Sequence, residues 1–137
     1  MDASPERVFR ALVEPDQLAR WWGPAGFSSP SVDFDPRVGA SYRIKMQPPE
    51  GEAFHLRGEF REVERPRRLA FTFIWEEPDP DDQETLVTLT LEGLDGPTKL
   101  IVDQGSFATE SRLELHRNGW SESFERLRDA LAAGGGR

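Results

Sequence analysis

Few residues in this chain can exchange protons near neutral pH. His55 and His116 are its two histidines, and imidazole is the side chain whose ordinary pKa lies there. Set beside a carboxylate, either would act as a general base or acid. Glu59, Glu62 and Asp103 are the candidate partners, provided their strand faces turn inward. His116 with such a carboxylate would suit cyclase- or hydrolase-type chemistry. The sequence supplies no other catalytic apparatus. It has no cysteine, no Gly-rich phosphate loop and no nucleophile motif. The histidines are far apart, unlike the short-spaced pairs of metal-binding helices, so neither a metal nor another cofactor is expected. The acid-rich stretch 76–84 lacks the spacing of a calcium loop and reads as a solvated hairpin end. Arg65, Arg67 and Arg68 read as a solvated turn. No residue is assigned a catalytic role.

Apolar recognition is better supplied. Trp22, Phe34, Tyr42, Met46, Phe60, Phe71, Phe73, Trp75, Val87, Leu89, His116, Trp120 and Phe124 all fall on faces that should turn inward. A cavity lined by such side chains, with a few polar groups among them, is the usual form of a small-molecule site. The same residues would also serve simply as core. Buried Tyr42 and the tryptophans need partners for their polar atoms in either case.

One long element must position this set. Leu113, His116, Trp120, Phe124, Leu127 and Leu131 recur at three- and four-residue intervals, which predicts a helix over 112–132 with one apolar face. Gly119 sits mid-helix, where it costs about 1 kcal/mol relative to Ala. With Ser123 one turn on, it either admits another backbone or leaves volume unfilled. His116 is polar on an apolar stripe; it is satisfied by a backbone group at the helix entry, or it faces a cavity.

Upstream, Ser4-Pro5-Glu6 is a helix start, with Ser as N-cap and Pro in the first turn. Val8, Phe9 and Leu12 give this helix its apolar face. Glu14-Pro15-Asp16 ends it and starts a second, carrying Leu18, Trp21 and Trp22. The two tryptophans would plug one end of the sheet or line a ligand entrance. About six antiparallel strands follow, near 27–35, 40–46, 54–64, 69–75, 86–94 and 100–102. In the third, Phe54, Leu56 and Phe60 share a parity that Val63 breaks, which a bulge near Arg61 or Glu62 would explain. One helix cannot tile a strongly bent sheet, so a hollow between the two is expected. The fold class is α+β, in one domain over 1–133, with 134–137 a disordered Gly-rich tail.

Charge and composition limit the partners. The net charge of −8 disfavours nucleic acid, whose phosphates need a basic surface. No apolar run is long enough to insert in a membrane, and the start lacks the features of a secretion signal. With no cysteine, a reducing cytoplasm is the expected location.

Four motifs, in order, carry a family resemblance. They are Ser4-Pro5-Glu6-Arg7-Val8-Phe9-Arg10-Ala11-Leu12 with Pro15-Asp16-Gln17-Leu18-Ala19-Arg20-Trp21-Trp22-Gly23-Pro24; Asp35-Pro36-Arg37-Val38-Gly39-Ala40-Ser41-Tyr42; Gly58-Glu59-Phe60-Arg61-Glu62-Val63 with Pro66-Arg67-Arg68-Leu69; and His116-Arg117-Asn118-Gly119-Trp120 with Phe124, Leu127 and Leu131. Together they resemble the START-like helix-grip superfamily (SRPBCC), in the branch named after the activator of the 90-kDa heat-shock-protein (Hsp) ATPase. The resemblance implies a helix-grip fold whose cavity holds lipids, sterols, polyketides or other apolar small molecules. The same fold also hosts cyclases and protein-interaction domains, including co-chaperone-like modules with a part in stress response. The family's eukaryotic co-chaperone has a separate chaperone-binding domain that this chain is not expected to share. Family members usually carry a strand before the first helix, for which Met1-Asp2-Ala3 leaves little room. The sheet edge so exposed should be covered by a second subunit, as a homodimer, or by the chain's own loops.

Overall fold

A computed structural model describes residues 1–23, 26–77, 82–93, 97–105, 107 and 109–133, with residue 133 described by its backbone alone. The expected tail lies outside these residues. Two short helices come first, α1 (Pro5–Val13) and α2 (Pro15–Trp21). Six strands follow: β1 (Ser28–Phe34), β2 (Ser41–Gln47), β3 (Phe54–Glu64), β4 (Arg68–Trp75), β5 (Thr85–Glu92) and β6 (Lys99–Gly105). The long helix α3 (Glu110–Ala133) closes the chain. The strands form one antiparallel sheet in simple sequence order, from β1 at one edge to β6 at the other. This is the α+β helix-grip architecture expected.

Local chemistry sets the breaks. Ser4 caps α1 by accepting a hydrogen bond from the Arg7 amide, and Pro5 occupies the first turn. Pro15 starts α2 one residue after α1 stops, so the two helices meet at an angle. The bulge expected in the third strand is present: the β3–β4 register slips between Phe60 and Glu62, which brings Val63 opposite Leu69. A second irregularity, between Ser28 and Ser31 on β1, has no counterpart in the sequence pattern. Bulges bend strands, so both steepen the sheet's curl.

At the β6 edge, Met1 and Thr98 exchange two backbone bonds, at 2.7 and 2.8 Å, and the Thr98 hydroxyl donates to the Ala3 carbonyl. The chain's own first residues thus cover the start of that edge. No helix among the described residues is long and apolar enough to cross a membrane.

The buried interior divides along the sheet. At one end Phe34, Tyr42, Phe60 and Phe71 pack ring against ring, with centroids between 4.8 and 6.3 Å apart. Gly58 lies under this cluster because nothing larger fits: a Cβ there would stand 2.0 Å from the Thr72 carbonyl oxygen. That oxygen already accepts a 2.6 Å bond from the Tyr42 hydroxyl, whose phenol burial pushes well above its ordinary pKa.

Candidate functional site

At the other end, α3 does not close on the sheet. A cavity of about 410 Å³, open to solvent, lies between them. Its walls come from the residues that link α2 to β1, from Met46 near the end of β2 and from Phe54 at the start of β3. Phe73 and Trp75 at the end of β4, Glu77 and Asp82 after it, and α3 between Arg112 and Ser123 complete them. Gly119 and Ser123 both face it, so the small residues of the helix mark unfilled volume.

Six expected ligand-binding residues line this space: Trp22, Met46, Phe73, Trp75, His116 and Trp120. Four others, Phe34, Tyr42, Phe60 and Phe71, sit instead in the ring cluster at the packed end, away from the cavity lining. Inward parity on a strand places a side chain on the right face but does not say whether that stretch meets helix or hollow. Phe124 contacts Trp21 and Trp120 and lines a separate shallow groove with Met1 and Leu100. Val87 and Leu89 are core.

The two adjacent tryptophans divide the roles foreseen for them. Trp21 is the plug: it is fully buried, and its indole N–H donates 2.8 Å to the Ala11 carbonyl. Trp22 lines the cavity and meets Trp120 edge-on at 5.4 Å. Trp120 is held by a chain of side chains, its indole donating to Gln104 and Gln104 donating to Thr85, each at 2.8 Å. Arg126 ties α3 to the end of α2, where its guanidinium donates to the carbonyls of Arg20, Trp22 and Gly23. A cation at the C-terminus of a helix meets carbonyls that have no other helical partner.

His116 takes the cavity-facing option. Its ring packs against Phe73, Trp75 and Phe107 at 5.3, 5.9 and 4.7 Å. Burial holds the imidazole below its ordinary pKa; nearby Asp82 opposes that shift and Arg112 adds to it. The ring is therefore neutral at pH 7. The acid near it is Asp82, rather than Glu59, Glu62 or Asp103, of which Asp103 is exposed on β6.

Asp82 corrects the reading of 76–84 as a solvated end. Its side chain is only 9% exposed and lies 3.4 Å from Arg112 at the cavity wall. Glu77 also reaches the wall. It accepts a 2.8 Å bond from the His55 ring and a 2.9 Å bond from the His55 amide, which together keep its carboxyl below the usual range. His55, Glu76 and Glu77 place three potential ligand atoms within 4.8 Å of one another. Arg43 already forks onto Glu76 at 2.7 and 3.0 Å, so the cluster reads as an ion-pair network at the cavity rim.

Several lining residues escape the sequence reading: Phe27, Phe54, Glu77, Asp82, Arg112 and Leu115. Phe54 had a signal, since it shares parity with Leu56 and Phe60. Arg112 and Leu115 lie off the main apolar stripe, and the two acids lie in a stretch whose composition says only that it likes water.

Comparison with known proteins agrees with this fold. The family model for activator of Hsp90 ATPase homolog 1-like protein matches residues 2–132. The chain is 27% identical to the AHSA1 protein SPO3351 from Silicibacter pomeroyi, with a TM-score of 0.84 over 96% of this chain and 92% of that one. It is 28% identical to protein CV1439 from Chromobacterium violaceum, with a TM-score of 0.82 over 91% and 87%. A protein from Arthrobacter aurescens, solved in solution, gives 26% identity and a TM-score of 0.81 over 97% and 82%. No curated protein matches the chain.

Proposed function

The chain belongs to the family of activator of Hsp90 ATPase homolog 1-like proteins, and on that footing we propose that it binds an apolar or aromatic small molecule between sheet and helix. The observation that supports this reading is the cavity of about 410 Å³, which falls within the range of ordinary ligand pockets. Its lining is apolar and aromatic with polar groups gathered at one wall, which would orient a bound molecule. The absence of cysteine suits work in a reducing cytoplasm.

Titration with aromatic and aliphatic ligands, followed by tryptophan emission, tests the proposal. Trp22, Trp75 and Trp120 all line the space, so occupancy should shift their emission. Gly119→Leu should weaken the response by taking up part of the volume. No response from any ligand, or one that Gly119→Leu leaves intact, would overturn it.

One observation favours a second reading, acid–base catalysis. His116 is neutral and hence able to accept a proton, and Asp82 acts on it electrostatically at the same wall. Under that reading His116→Gln would remove turnover of a bound ligand while leaving its affinity nearly unchanged. Protein interaction has less behind it. Among the described residues the exposed large apolar side chains are Val38, Leu86, Ile101 and Leu115, and they lie on four different segments.

A further inference from the structure

The cavity wall is largely aromatic. Three tryptophans and three phenylalanines line it. Their rings touch one another around the wall: Phe27 meets Phe54 at 6.1 Å, Phe54 meets Trp75 at 5.3 Å, and Trp75 meets Phe73 at 5.0 Å. Aromatic faces are electron-rich and attract cations, most strongly where water is excluded. They offer no such attraction to an anion.

The charged groups at the wall point the same way. Glu77 and Asp82 are carboxylates, and Arg112 is the guanidinium among the lining residues. Arg112 lies 3.4 Å from Asp82, which offsets its charge. Glu77 accepts hydrogen bonds from the His55 ring and amide, which keep its carboxyl ionised. His116 adds no positive charge at pH 7. Around this wall the protein as a whole carries −8, a long-range field that draws cations in.

We propose that the cavity selects a hydrophobic cation, a bulky aryl- or alkylammonium ion, over neutral or anionic molecules of similar size. The proposal rests on the small-molecule reading above and specifies its ligand. Such an ion spreads its charge over a greasy surface and loses little hydration on entry. Its methyl and aryl groups fill the apolar volume, the aromatic wall surrounds its charge, and Glu77 at the rim is the counter-ion. A carboxylate ligand would instead meet Glu77 at the rim and the aromatic wall, with Arg112 already paired to Asp82.

Three probes separate the outcomes: benzyltrimethylammonium, its uncharged isostere neopentylbenzene, and 3-phenylpropionate. Affinities are read by tryptophan emission and calorimetry at low and high salt. The cation should bind about tenfold tighter than the isostere at low salt, the order expected for one desolvated cation–aromatic contact. Added salt should narrow that gap, leaving the isostere unaffected. Glu77→Gln should weaken the cation severalfold and the isostere not at all; Glu77 is exposed, so the variant should fold. An isostere or carboxylate that binds as tightly as the cation would overturn this proposal while sparing the cavity reading. If none of the three binds, this proposal falls, while the cavity reading is decided by the wider ligand titration above.

Discussion

The two ends of the layer between sheet and helix use the same kinds of residue to opposite effect. At the packed end, Phe34, Tyr42, Phe60 and Phe71 pack ring against ring, and the strands beside them run so close that a Cβ at Gly58 would meet the Thr72 backbone. At the hollow end, Trp22, Phe73, Trp75 and Trp120 surround a space of about 410 Å³. Along β4 the change is continuous: Leu69 and Phe71 are sealed, Phe73 is nearly so, and Trp75 is partly open. Aromatic content alone does not decide between core and cavity. What decides is whether the facing surface closes. At the hollow end it does not, because α3 presents Gly119 and Ser123 there.

This contrast can be broken at several points. The largest effect should come from Phe60→Ala, which empties a fully buried site and should cost about 3–5 kcal/mol in urea unfolding. The matched change Trp75→Ala should cost clearly less, because that ring already borders open volume. Equal losses would mean the two ends are packed alike. Gly58→Ala comes next, at about 3 kcal/mol, since the new methyl meets backbone rather than a yielding side chain. Thermal unfolding of that variant should fall without any change in the ligand response of folded protein.

How much of this was open to reading in the chain follows the same division. Periodicity gave the three helices and six strands, and the broken parity at Val63 located the bulge between Phe60 and Glu62. It also placed cavity rings such as Trp22, Phe73, Trp75 and Trp120 on inward faces together with the core rings Phe34, Tyr42, Phe60 and Phe71, and could not part them. Separating Phe71 from Phe73 requires the curvature of the sheet and the line of α3, both set by contacts distant in sequence. Trp21 and Trp22 differ by one position, yet one ends α2 and the other begins the exit from it, which turns their rings to different surroundings. Asp82 was hidden because composition reports solubility, whereas its burial depends on Arg112, thirty positions away in the chain.

Smaller effects sharpen the account of the hollow end. Burial holds the His116 imidazole below its ordinary value. The unfolded chain therefore binds a proton that the folded chain resists. Stability should fall as pH drops below the ordinary histidine range and level off beneath the folded-state pKa. The difference between wild type and His116→Phe, followed by urea midpoints from pH 8 to 5, isolates this slope. If the two proteins run parallel, His116 is not desolvated at the cavity wall. The smallest effect is Gly119→Ala, which should stabilise by up to about 1 kcal/mol through helix propensity.

The most direct measurement of the hollow itself is the thermal unfolding of Gly119→Leu beside Gly119→Ala. A leucine that enters existing space keeps the helix gain and adds apolar contact, so its midpoint should equal or exceed that of the alanine variant. A midpoint below wild type, as an overpacked core gives, would show that helix and sheet already fill the volume between them.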